Sequence, residues 1–251
     1  MQNHLTILTG ASRGMGLSMA RQLLQPGHTL LTLSRQIPDS LAAEASAHGA
    51  TLIAWSQDLA DGAAASARLA QWLGAQPADA FASATLINNA GVIPRIGPLR
   101  EADADDLAHA LRVGLEAPMQ LTAAFLHATA HWSGPRKVLN ISSGLGRRAM
   151  AAQAGYCAAK AGMDHFTRCL ALEEALKPNG ARVCALAPGV IDTDMQVQLR
   201  GAGTTAFPDV GNFIGLKEKG LLTSPDAAAA QVLAFLQRPD FGANPVADVR
   251  D

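Results

Sequence analysis

Tyr156 is the only tyrosine in this 251-residue chain, and Lys160 follows it by four positions in "GYCAAKAG" (155–162). On a helix, residues spaced i and i+4 share a face, with Cβ atoms about 5–6 Å apart. A free phenol, with a pKa of about 10, is a poor acid–base group at neutral pH, but a nearby ammonium stabilises the phenolate and lowers that value. Lowering it by three pH units takes roughly 4 kcal/mol of differential electrostatics. Ser143 stands 13 positions before Tyr156, at the end of "NISS" (140–143). A hydroxyl, a phenol and an ammonium together can hold a carbonyl oxygen and hand it a proton. Taken alone, the Tyr–Lys pair reads more simply as a solvated helix face, so its setting decides.

A second group of residues points to a phosphate-bearing ligand. "TGASRGMG" (9–16) follows the apolar run "HLTILT" (4–9) and leads into a helix expected to start near 15. Gly10, Gly14 and Gly16 allow a tight turn, so that backbone N–H groups around Ser12, Arg13 and Met15 can approach a pyrophosphate at the helix N-terminus. Dinucleotide folds that prefer NAD usually place Asp or Glu about 20 residues further on, against the ribose 2′-hydroxyl. Here the second strand ends in "LSRQ", so Ser34 and Arg35 occupy that place, and Arg13 lies within the glycine loop. Two guanidinium groups suit a 2′-phosphate through charge-assisted contacts. The expected cofactor is therefore NADP(H); the other reading of Arg35 is an ordinary solvated charge.

The elements that must position these residues are short apolar runs at 4–9, 29–34, 51–56, 84–88, 137–142, 182–187 and 244–249, separated by Ala-rich segments of helical periodicity. Strands apolar on both faces, alternating with helices, predict a single-domain, doubly wound, Rossmann-type α/β fold over residues 1–251, with a mostly parallel sheet and helices on both faces. No linker or internal repeat divides the chain. The one irregular region is 192–224, where glycines and Pro208 interrupt any helix. Because ligands bind beyond the carboxyl ends of the strands, this stretch is expected to be a substrate lid.

Composition narrows the partners. With 20 basic and 21 acidic residues the net charge is -1, which gives no global attraction to nucleic acid or an anionic membrane. No apolar run approaches the ~18 residues of a membrane span. The apolar first strand leaves no room for a secretory signal, and three cysteines (Cys157, Cys169 and Cys184) fit reduced thiols, so a cytoplasmic location is expected.

Taken together, "TGASRGMG", "NNAG" (88–91), "NISS", "YCAAK" (156–160) and "PGVIDTDM" (188–195) resemble the short-chain dehydrogenase/reductase family from end to end. That resemblance implies carbonyl reduction: a nicotinamide supplies hydride to carbon, and Tyr156 donates the proton to oxygen. It also implies that Ser143 hydrogen-bonds the substrate oxygen and that Lys160 binds the nicotinamide ribose. By the same resemblance Asp58 and Leu59 contact the adenine, with a helix N-cap as the other reading of Asp58. Asn88, Ala90 and Gly91 line the adenosine side, or Asn88 instead ties adjacent strands. Pro188, Gly189, Val190 and Thr193 form the turn that holds the carboxamide.

Within the family, "YCAAKAG", "LALEE", "APGVIDTDMQ" and "LKEKGLL" resemble sepiapterin reductases and bacterial benzil reductases, which implies reduction of a ketone or vicinal diketone. Pterin reductases hold the pterin with a carboxylate near the chain end; Asp248 matches it only with a one-residue gap, and surface charge is its other role. The family usually has V-N-L where this chain has Val113, Gly114 and Leu115, so the side chain expected to position a water near the active-site lysine is missing. Helices near 101–128 and 154–177 commonly pair subunits in this family, implying a homodimer or homotetramer. A competing function is a non-catalytic, NADP(H)-sensing binding protein; a reductase of another carbonyl class is also open.

Overall fold

A computed structural model describes residues 3–251. Seven strands form one parallel sheet: β1 (His4–Thr9), β2 (His28–Ser34), β3 (Thr51–Ser56), β4 (Ser83–Asn88), β5 (Arg136–Ile141), β6 (Arg182–Ala187) and β7 (Val246–Asp248). Their spatial order is β3-β2-β1-β4-β5-β6-β7. The order reverses between β1 and β4, so the two chains leaving their carboxyl ends diverge and open a crevice between them.

Alternation along each strand divides the core. Leu8, Leu30, Ile87 and Leu186 pack with α1 (Gly14–Leu23), α2 (Asp39–Ala47) and α9 (Pro225–Gln237). On the same strands Ile7, Leu31, Leu86 and Val183 pack on the other face with α3 (Gly62–Gly74), α5 (Ala117–Ala128) and α6 (Ala154–Ala175). Period-2 side chains on a doubly covered sheet make every strand apolar throughout. α4 (Ala104–Leu111) runs into α5 through a π-helical turn at Arg112–Glu116, which contains Gly114.

The 192–224 stretch is not irregular. It carries α7 (Asp194–Arg200) and α8 (Val210–Glu218), which pack through Leu199, Phe207 and Val210. Gly201, Gly203 and Pro208 fall between the helices, while Gly211 and Gly215 sit within α8 with open space around them. Burial of the apolar residues outweighs the roughly 1 kcal/mol that each helical glycine costs relative to Ala.

Candidate active site

A cleft of about 800 Å³ lies at the carboxyl ends of the strands. The glycine loop forms one wall. Gly10 has φ 72°, in the left-handed region, and a Cβ there would lie 2.9 Å from Ala90 Cα. A Cβ on Gly16 would run into the Gly10 carbonyl oxygen. Only glycine serves at both positions. The loop is pinned from two strands: the Ala11 N–H donates to Ser34 Oγ at 2.8 Å, and Asn89 Nδ2 donates to the Thr9 and Gly10 carbonyls at 3.0 and 3.2 Å. α1 has no acidic residue in its first turn, so nothing opposes an anion at its N-terminus.

Most of the residues singled out from the sequence line this cleft: Gly10, Ser12, Arg13, Gly14, Met15, Gly16, Ser34, Arg35, Asp58, Leu59, Ala90 and Gly91 on one side, with Pro188, Gly189, Val190 and Thr193 facing them. Asn88 does not. It is 1% exposed, and its Nδ2 donates to Thr122 Oγ1 at 3.1 Å and Asn140 Oδ1 at 2.8 Å. It follows Leu86 by two positions and so points to the face covered by α3, α5 and α6, where it ties β4 to β5 and α5. The asparagine at the cleft is Asn89.

Asp58 accepts from the Ala60 N–H at 2.9 Å, whereas the N-cap of α3 is Asp61, which accepts from Ala64 N–H at 3.0 Å. Ser34 uses its hydroxyl oxygen to hold the glycine loop. Arg35 is exposed and has no carboxylate partner among the described residues. Arg13 reaches across the cleft mouth to Asp194, 3.0 Å away.

The reactive end brings Ser143, Tyr156 and Lys160 into one wall. Ser143 leaves β5 and begins a 3₁₀ turn at Gly144–Gly146, accepting from the Leu145 N–H at 3.1 Å and leaving its own proton to donate. Tyr156 lies in the first turn of α6, and Lys160 Nζ stands 5.8 Å from its ring centroid. Lys160 donates to the Ile141 carbonyl at 2.7 Å. Ser142 is buried and donates to Asp164, which also pairs with Arg147 at 3.0 Å. Asp164 and Arg147 brace this wall, and no motif exposes them in the sequence.

The electrostatics differ from the lowered tyrosine expected from the sequence. Burial pushes the Tyr156 phenol up to about 12, with interaction with the Ser143 hydroxyl pulling it partly back. Burial also pushes Lys160 down to about 8, opposed by the Asp164 charge. For both groups desolvation is the larger influence. Tyr156 is therefore protonated at neutral pH and able to donate, and Lys160 holds a proton that is readily released.

Gly114 is buried, and a Cβ added there would lie 3.3 Å from Ala159 Cβ, next to Lys160 in α6. Both oxygens of Asp248 accept from the Arg250 guanidinium at 2.6 Å, which holds the carboxyl below its ordinary range. Ile93, Met150, Leu199 and Phe213 give the cleft an apolar wall toward α7 and α8. Among the described residues no cluster of side chains is suited to a metal ion, and no helix is long and apolar enough to cross a membrane.

Fold, glycine loop and serine–tyrosine–lysine wall define a nicotinamide-dependent oxidoreductase architecture. The short chain dehydrogenase family model matches residues 4–202, and the chain belongs to that family. It is 35% identical over 235 residues to a benzil reductase ((S)-benzoin forming) of Bacillus cereus, covering 94% of each chain. It is 33% identical over 244 residues to the sepiapterin reductase of Xenopus tropicalis, covering 93% of this chain and 91% of that one. A putative 2-deoxy-d-gluconate 3-dehydrogenase from Agrobacterium tumefaciens, solved with bound NADP, superposes with a TM-score of 0.79 at 26% identity, covering 99% of this chain and 95% of that one.

Proposed function

We propose that this oxidoreductase reduces a ketone, and by preference an aryl vicinal diketone, to the alcohol with NADPH. The observation that carries the reading is the cleft itself: Ser143, Tyr156 and Lys160 at one end, the glycine loop at the other, and an apolar wall beside the reactive groups. The bound nicotinamide would supply the hydride. Ser143 and Tyr156 hold the carbonyl oxygen by hydrogen bonds, and Tyr156 passes its proton to that oxygen as negative charge develops. The phenolate left behind is stabilised by Lys160, whose proton refills it. Lys160 and the 188–193 turn would hold the nicotinamide half, and Ser12, Met15 and Gly16 the pyrophosphate.

Arg35, unpaired, and Arg13, paired only through an exposed and therefore weak bridge, favour the 2′-phosphate of NADPH over the hydroxyl of NADH. A diketone is favoured over a pterin because Asp248 has both carboxylate oxygens occupied by Arg250, whereas Ile93, Met150, Leu199 and Phe213 suit aromatic rings. α7 and α8 serve as the substrate lid. Exposed Leu172 on α6, Leu176 at its C-cap and Met119 on α5 support a homodimer or homotetramer, and the chain works in the cytoplasm. The test follows oxidation of NADPH and NADH with benzil, other diketones and sepiapterin. Cofactor binding without turnover across this panel would favour the sensor instead, and preference for NADH would overturn the cofactor assignment.

A further inference from the structure

Gln153 precedes Tyr156 by three residues and occupies the N-cap of α6, yet its side chain caps nothing. It is 2% exposed, and neither its amide nitrogen nor its amide oxygen has a hydrogen-bond partner. Leaving both groups buried and unpaired costs the desolvation of each, and native proteins rarely tolerate it without a reason. Ala152, immediately before, has φ 62°, a left-handed conformation that alanine seldom adopts. The chain is thus turned at some cost to set Gln153 in the cleft wall with Ser143 and Tyr156. Across the cleft, Gln196 on α7 is also buried, with an unpartnered amide oxygen. Two buried carboxamides with unmet polar atoms, facing one cleft, indicate a substrate with more than one polar atom.

Resting on the ketone-reductase reading, we propose that Gln153 donates a hydrogen bond from Nε2 to the second, unreduced carbonyl of a vicinal diketone. The reacting carbonyl takes hydride at carbon and the Tyr156 proton at oxygen, becoming a hydroxyl. The adjacent carbonyl stays intact, and the product is an α-hydroxy ketone. Gln153 holds that second oxygen, fixes which carbonyl meets Tyr156, and selects diketones over simple ketones. A site built to pair a polar group discriminates against analogues lacking it, because its own buried group is then left unpaired. The competing arrangement is a water in the adjoining recess of about 20 Å³, lined by Gln153, Asp106 and Leu107, which would satisfy the amide and make its role structural.

The experiment compares kcat/KM for benzil and for deoxybenzoin, in which CH₂ replaces one carbonyl, in wild type, Gln153→Met and Gln153→Ala, all with NADPH. Differences in intrinsic reactivity cancel when the benzil-to-deoxybenzoin preference of each variant is divided by that of wild type. The expected result is a fall in preference of about tenfold or more, the worth of one lost hydrogen bond. Gln153→Met keeps the side-chain length, and Gln153→Ala serves if methionine disturbs folding. A preference unchanged within about twofold, with both substrates affected together and a lowered Tm, is the signature of a structural glutamine and overturns the proposal. If wild type turns over neither compound, the aryl-diketone reading fails and this inference falls with it. If wild type reduces benzil and the preference survives substitution, only this inference fails.

Discussion

Asp164→Asn isolates the electrostatics of the proton supply to Tyr156. Asp164 lies one helical turn beyond Lys160, is 1% exposed, and is the charge that opposes the burial-driven fall of the lysine to about 8. Two unit charges about 6 Å apart at an effective dielectric constant of ~20 interact by roughly 2.8 kcal/mol, or about two pKa units. Arg147, 3.0 Å from Asp164, offsets part of that field. The expected change is therefore about one pKa unit, bringing Lys160 to roughly 7 in the variant. At pH 8 the protonated fraction falls from about a half to about a tenth, so kcat falls about fivefold; near pH 6 it hardly changes.

The sign follows from the group. Lysine carries its proton below its pKa, so reduction slows as pH rises through about 8 in wild type, and the variant moves that falling limb to lower pH. The assay is kcat for diketone reduction at saturating NADPH, from about pH 5.5 to 9, bracketing the lysine. Asp164 also accepts from Ser142 and pairs with Arg147, so stability should fall by about 1–3 kcal/mol, read as a drop in Tm of several degrees. A limb that stays put or moves upward refutes the role of Asp164. An equal loss of kcat at every pH assigns Asp164 to bracing the wall alone.

Tyr156→Phe should keep NADPH affinity within about twofold while lowering kcat by roughly 10²–10⁴-fold; retention of more than about a tenth of the activity would require another acid. Asp194→Asn releases Arg13 from its exposed partner, so NADPH should bind up to about fivefold tighter in a fluorescence titration with NADH unaffected. Equal tightening of both would remove Arg13 from the 2′-phosphate site. Gly114→Asn presses on Ala159, 3.3 Å from the new Cβ, and should lower stability by about 1–3 kcal/mol. Adding Ala159→Gly should restore the Tm and leave kcat no lower than wild type; a large fall in kcat with the fold intact would show a site rebuilt around the glycine.

What the sequence makes legible is what the backbone enforces. Strands buried on both faces must be apolar throughout, and a chain turning against Ala90 must carry glycine at position 10, so both leave marks that composition and spacing reveal. Asn88 and Asn89 show the limit. Both are asparagine and both are hydrogen-bonded, and only the alternation continuing from Leu86 tells which one faces a helix and which the cleft. The Tyr156–Lys160 spacing reveals their proximity but not their titration, because desolvation depends on everything packed around α6. Asp164 and Gln153 belong to no motif; their significance lies in burial and in partners held or missing, which only the folded chain supplies.

The 192–224 stretch illustrates the same division at the scale of an element. Its glycines and Pro208 suggest a loose strap, but the strap's two ends are fastened together: the Asp192 N–H donates to the Thr223 carbonyl and the Thr223 N–H to the Val190 carbonyl, each at 2.9 Å. Asp192 further pairs with Lys217 at 2.5 Å and Arg200 at 3.8 Å, holding the far ends of α7 and α8 to the base of the stretch. Phe207, between the helices, packs against Phe213 of α8 as a tilted pair with centroids 5.5 Å apart. An element tied in this way moves as a body about its base rather than by uncoiling. On the proposed reading of α7 and α8 as a lid, closure over a substrate would shift Leu199 and Phe213 together toward Ser143 and Tyr156, while Gly189, before the fastening at Val190, would keep its place in the cleft wall.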